Sequence, residues 1–284
     1  MAHRLHRLLT SVWNTPHLVT ESALRPIVDY LQVRSLQANL IIMPEMEPTA
    51  PSDNDGDEPD QADDVGEIQI DGVLTYKPVV GMCGPMGVSY QGILEQAEEL
   101  IESGVKTLIM THSSPGGQAS HCFTTALDLR SMCDEAGVKL ITYIDTMSCS
   151  AALAIGVVAD EVYIHPSAET GSIGCVVALM DQSKALAQAG LKPIFIASSP
   201  GKTAFNNDGS FSDSFLADVQ EQVTNLGDQF AAHVSEFTGI PVEDIVAMDA
   251  KSFNAYDAVE VGLANAVMDH KQFLSYISGP MTND

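Results

Sequence analysis

From Ile68 onward the chain alternates two patterns. Short apolar runs of five to seven residues are followed by longer stretches in which apolar residues return every three or four positions. A short apolar run bounded by turn residues fits a buried strand, whereas the three-to-four spacing lays one apolar stripe along a helix. The runs predict strands at Ile68–Leu74, Thr107–His112, Leu140–Asp145, Glu161–His165, Cys175–Leu179 and Pro193–Ala197. The periodic stretches predict helices at Gln91–Ser103, Ser120–Ala136, Ala151–Val158, Gln182–Ala189, Ser212–Phe237, Pro241–Ala247 and Ala255–Val261. Strands separated by helices of about 10–17 residues build right-handed βαβ units. The expected class is therefore α/β with a mostly parallel sheet.

Upstream the pattern changes. Residues 1–44 are mildly basic and partly apolar, with a helix predicted near Glu21–Leu36. Residues 45–67 hold ten acidic side chains, no basic one and three prolines. Such a stretch cannot bury enough apolar surface to offset its ordering entropy, so a solvated linker is expected there. The folded domain is expected over residues 68–270, with residues 271–284 as a tail.

Charge and composition narrow the function. The 284 residues carry 13 Lys and Arg against 38 Asp and Glu, a net charge of −25. This field repels phosphate backbones and anionic membrane surfaces, so neither nucleic acid nor membrane is an expected partner. No apolar run reaches the roughly 18–20 residues that cross a bilayer. The eight His show no HExxH or His-x-His spacing and the five Cys form no CxxC pair. No metal or other cofactor is expected, and a reducing compartment fits the cysteines better than a disulfide framework.

Four small-residue turns could carry chemistry. Ser113-Ser114-Pro115-Gly116-Gly117 follows a strand and precedes a helix. Paired glycines let backbone approach a ligand, and free N–H groups there can hold an anion, although a plain strand-to-helix turn looks the same. Met147-Ser148-Cys149-Ser150-Ala151-Ala152 sits in a similar place. Ser150 is a candidate nucleophile with Cys149 as its rival, while Ser148 or Ser150 as a simple helix cap is the plainer reading. Thr170-Gly171-Ser172-Ile173-Gly174 precedes an apolar run, and Lys202 follows Ser198-Ser199-Pro200-Gly201. A surface Lys is usually only solvated. His112 and His121 flank the glycine pair, and Asp145 and Asp160 could orient a base, so a Ser-His-Asp arrangement is also open.

Taken in order, these segments resemble the signal peptide peptidase A family of serine proteases, most closely its phage branch of head maturation proteases. Ser114–Gly117, Asp145–Ala151, Thr170–Gly174 and Lys202 carry the resemblance, which runs from about Ile68 to Val267. It implies the ClpP/crotonase type of stacked β-β-α units. Ser150 matches the nucleophile, Lys202 the general base and Ser172 the residue that helps hold that base. Gly116, Gly117 and Ala151 match the oxyanion-hole region, with Gly116 the better single donor. One position departs from the pattern: Ser199 stands where the family has a Gly, and aligning Gly201 there instead would put Ala204 at the base position.

The resemblance implies a serine endopeptidase that matures a phage prohead. Its substrates would be scaffold, portal or minor capsid proteins, and the chain itself, with residues 45–67 an exposed site for self-cleavage. It also implies a homo-oligomer in which Ser and Lys can come from neighbouring subunits, working in the host cytoplasm inside the immature capsid. A Lys amine accepts a proton only when neutral, which at neutral pH requires shielding from water. The alternatives are an inactive scaffold or minor capsid component on the same fold, a cellular relative, a ClpP-type Ser-His-Asp protease and a crotonase-type acyl-CoA enzyme. A ClpP-type enzyme needs a His after the Thr170–Gly174 turn, where Cys175 stands; a CoA enzyme needs basic residues that are scarce here.

Overall fold

Two long strands organise the chain. A computed structural model describes residues 16–20, 64–78, 80–81, 84–85 and 87–278. In chain order the strands are β1 (His17–Val19), β2 (Val65–Asp71), β3 (Val80–Gly81), β4 (Gly84–Pro85), β5 (Thr107–Ser114), β6 (Gly116–Gln118), β7 (Lys139–Cys149), β8 (Glu161–Ile164), β9 (Glu169–Gly171), β10 (Ser252–Asn254) and β11 (Ala266–Val267). The helices are α1 (Tyr90–Glu102), α2 (Cys122–Ala136), α3 (Ala151–Gly156), α4 (Ser183–Gln188), α5 (Asp213–Thr238), α6 (Val242–Ala247), α7 (Ala255–Glu260) and α8 (His270–Ile277).

The main sheet runs β2-β5-β7, and β7 then serves two partners on its far side. Its first half pairs with β8 and its last three residues pair with β9, all parallel. β11 adds to β8 in parallel, and β10 closes β9 antiparallel. β5 and β7 are covered on both faces, which is why they read as nearly continuous apolar runs. At the edge, β2 alternates instead: Ile68 and Ile70 are buried while Glu67, Gln69 and Asp71 face solvent. The α/β class and mostly parallel sheet are as expected.

Helix ends follow local chemistry. Ser89 caps α1 by accepting from the Gly92 amide at 3.0 Å, and Ser212 caps α5 by accepting from Phe215. Asp269 and Gln272 form a reciprocal capping box on α8. That helix buries Phe273 against Tyr143 and Tyr163, so the folded unit runs past residue 270, where the tail was expected to begin. The predicted helix near Glu21–Leu36 and most of the acidic linker lie outside the described residues.

Two predicted strands are absent. Residues 175–179 contribute one bridge, Val176 to His17, and residues 193–197 form no strand. The second run stands on a limb spanning roughly Cys175 to the start of α5, where Ile194 is 79% and Ile196 95% exposed. Inside the limb Phe195, Phe205, Phe211 and Phe215 stack in sequence at centroid spacings of 5.1, 5.1 and 5.4 Å. The carboxyl-terminal half of α5 anchors it to the core through Phe230, Ala231, His233 and Val234, with the His233 ring 2.8 Å from the Ala154 carbonyl oxygen.

Candidate active site

The site forms where β5 and β7 end together. Their pairing shifts after His112: Ile144 faces His112, but Met147 faces Ser113, so Asp145 and Thr146 are extra in β7. A bulge of this kind bends a strand and re-aims the side chains beyond it. It brings Ser113-Ser114-Pro115-Gly116 beside Ser148-Cys149-Ser150, at the carboxyl ends of parallel strands, where open α/β sheets present ligand sites.

Gly116 must be a glycine here. Its φ is +101°, and a β-carbon would run into the Leu18 carbonyl oxygen and lie 2.9 Å from Cys149 O and 3.0 Å from Ala151 N. Its amide donates to Ser114 Oγ at 3.2 Å, and Ser114 Oγ in turn donates to Gly72 O at 2.6 Å. Gly117 is equally hemmed in, against the Leu74 backbone.

Ser150 follows β7 and caps α3 in a conformation that L-residues avoid, with φ 56° and ψ −118°. Two hydrogen bonds hold it there. Its amide donates to Gly171 O at 2.8 Å, and its carbonyl accepts from Ala154 N at 3.0 Å as α3 begins. Its Oγ points towards Gly174 O, 3.5 Å away, and the residue is fully buried. The Thr170–Gly174 turn is thus joined to Ser150 at two points. Ser172 lies within it at φ 55°, half-buried, its amide donating to Lys251 O at 3.0 Å.

The rival groups are engaged elsewhere. Burial pushes the Cys149 thiol up to about 12, so it is not a thiolate near neutral pH. His112 is buried with Nδ1 2.9 Å from Ser148 Oγ, and loss of solvation lowers its pKa to about 3. His121 is exposed and stacks on Tyr76 at 3.8 Å. Asp145 pairs with His270 at 3.1 Å, and Asp160 holds Arg130 and the Leu140 amide. Among the described residues no hydrogen bond joins Ser150 to a histidine.

Lys202 closes a short 3-10 turn, Pro200–Lys202, on the limb. It is exposed, and among the described residues no hydrogen bond or ion pair joins it to Ser150 or Ser172. Within one chain, therefore, Ser150, Ser172, Gly116 and Ala151 are assembled and Lys202 is not. Ala204 lies further along the same limb, its carbonyl accepting from Ser212 N. Among the described residues no cluster of His, Cys, Asp or Glu could hold a metal, and no helix is long and apolar enough to cross a membrane.

Sequence reasoning missed one part of the site. β1 pairs antiparallel with β6, and His17 also bridges Val176. A three-residue strand whose partner lies about a hundred residues away leaves no local signature.

The profile of peptidase family S49 matches residues 133–277, just over half of the chain. The chain is 24% identical over 228 residues to the head-tail preconnector protein GP5 of Enterobacteria phage P21, covering 78% of this chain and 44% of that protein. It is also 24% identical over 211 residues to the capsid assembly protease C of Escherichia phage lambda, covering 72% of this chain and 46% of that protein. It spans less than half the length of these curated relatives. Among solved structures it is similar to a ClpP1 mutant from Listeria monocytogenes, with a TM-score of 0.48 and 11% identity over 74% of this chain and 94% of that one. It is also similar to a mutant membrane-bound stomatin-specific protease in complex with a substrate peptide, with a TM-score of 0.45 and 15% identity over 75% and 78% of the two chains.

Proposed function

This chain belongs to peptidase family S49, and from that premise we propose that it is a Ser-Lys endopeptidase of phage capsid maturation. Its substrates are scaffold, portal or minor capsid proteins within the immature capsid. The observation that carries this reading is the strained backbone of Ser150, fixed between Gly171 O and Ala154 N and set beside Gly116. A residue held at φ 56° against its preference is over-determined by its surroundings, and such strain concentrates at reacting groups.

In this reading a neutral Lys202 amine removes the Ser150 proton as Oγ attacks the substrate carbonyl carbon. The oxyanion is met by the Ala151 amide and by the Gly116 amide, which turns from Ser114 Oγ. Collapse breaks the peptide C–N bond, and the proton passes from the ammonium to the leaving amine. Water, deprotonated by the same Lys, then releases the acyl group and restores Ser150.

The Lys is supplied by a second copy of the chain. Lys202 is exposed and, among the described residues, makes no hydrogen bond or ion pair to Ser150. The limb that carries it exposes Leu191, Ile194 and Ile196, an apolar surface of the sort that marks protein contacts. Docking that limb on a neighbour removes water from both the apolar side chains and the amine, so oligomerisation and base activation are one event.

The test is cleavage of unfolded casein by the wild type and by Ser150→Ala. The reading predicts turnover by the first only, with circular dichroism the same for both. Equal turnover would refute it.

A further inference from the structure

Ser150 is wholly buried, so no peptide bond reaches its oxygen until something moves. The edge of β6 beside it is already paired with the chain's own segment Pro16–Thr20. β1 lies antiparallel on β6 with Val19 opposite Gly116, Leu18 opposite Gly117 and His17 opposite Gln118. Thr20 N donates to Pro115 O at 3.1 Å, and Ala119 N donates to Pro16 O at 3.4 Å, extending the ladder at both ends. On its other edge His17 exchanges two bonds with Val176, both 2.9 Å. The segment is therefore bonded on both edges, to β6 on one side and through a single bridge to Val176 on the other.

Its position relative to the nucleophile is close. The Leu18 carbonyl oxygen rests on Gly116 at the same α-carbon that faces Ala151 N and Cys149 O. Leu18 is fully buried, and His17 and Val19 are nearly so. An extended peptide binding by strand addition needs the backbone groups of β6 and Val176 that this segment now uses.

We propose that Pro16–Thr20 is an autoinhibitory occupant of the peptide groove, a strand in cis that must leave before a second extended peptide can pair there. This rests on the reading of Ser150 as the reacting group. The occupant also describes the ligand class: an extended peptide with a leucine-sized apolar side chain opposite Gly117. Because the segment is tethered, its effective concentration is far above that of a free peptide, which explains how a short ladder can keep the groove closed.

The test uses the full chain with Ser150→Ala, so that nothing is cleaved, and a fluorescein-labelled peptide of residues 13–22 followed by anisotropy. His17→Pro removes the amide that donates to Val176. The proposal predicts that the His17→Pro chain binds the peptide about fivefold tighter or more than its parent, the effect of one lost hydrogen bond on the open fraction. A scrambled peptide should not bind. Equal binding to parent and variant, or none to either, with unchanged melting would overturn it. If His17→Pro melts early, Thr20→Pro removes the bond to Pro115 instead and carries the same prediction. With Ser150 restored, casein turnover should rise by the same factor. No turnover in any form would refute the peptidase reading, while peptide binding would still decide the groove.

Discussion

Gly116 and Ala151 meet backbone to backbone: a β-carbon on Gly116 would lie 3.0 Å from the Ala151 nitrogen. One residue opens β6 just after β5, the other lies in the first turn of α3. Their contact sets the amide of one against the α-carbon of the other, next to Ser150.

Gly116→Ala should therefore damage activity more than stability. The methyl meets Cys149 O and Ala151 N even with Pro16–Thr20 displaced, and φ +101° strains any L-residue. We expect a loss of about 1–3 kcal/mol in stability. The misplaced amide should lower kcat by about a hundredfold or more. Parallel urea unfolding and casein assays read both. Unchanged turnover would remove Gly116 from the site.

Ser150→Gly separates function from strain. Glycine adopts φ 56° and ψ −118° without the steric cost that Ser150 bears, so the variant should gain about 0.5–1 kcal/mol in stability while losing cleavage. A higher melting temperature in an inactive protein is the expected pair of results. A lower one would mean that the Oγ contact with Gly174 outweighs the backbone strain.

His112 predicts a pH dependence of stability. Its folded pKa of about 3 lies below the value of roughly 6.5 expected when unfolded. Between these values the unfolded chain binds a proton that the folded chain refuses, so stability is complete above about pH 6.5 and falls as pH drops towards 3. From about pH 7 to about 4.5 the group's share of the loss is up to about 3 kcal/mol, and His112→Gln should lack it. Urea midpoints at the two pH values, compared between parent and variant, read the difference. Identical slopes would mean that the imidazole takes up its proton without unfolding.

The sheet was legible because its central strands are buried on both faces. Leu108–Met110 and Leu140–Ile144 can only be interior, and the runs containing them became β5 and β7. The same signal misled at Pro193–Ala197, since an apolar run shows that burial is needed without showing what provides it. Ile194 and Ile196 find no cover among the described residues. Ser150, Ser172, Gly116 and Ala151 were legible because each stands at or just beyond a strand end, where the small-residue motifs are local. The place of Lys202 was harder to read: it closes a short turn on the exposed limb, where no apolar pattern or strand end fixes its surroundings. Nor was the pairing of His17–Val19 with β6, where three residues meet partners far along the sequence.

The central claim, that a neighbouring chain brings the amine to the serine, is tested most directly by mixing two inactive proteins. Ser150→Ala and Lys202→Ala should each fail to cleave casein. Mixed under conditions that let subunits exchange, they should regain activity, because Ser150 of one chain meets Lys202 of the other. A mixture as inactive as its components, or a Lys202→Ala protein as active as wild type, would contradict the account.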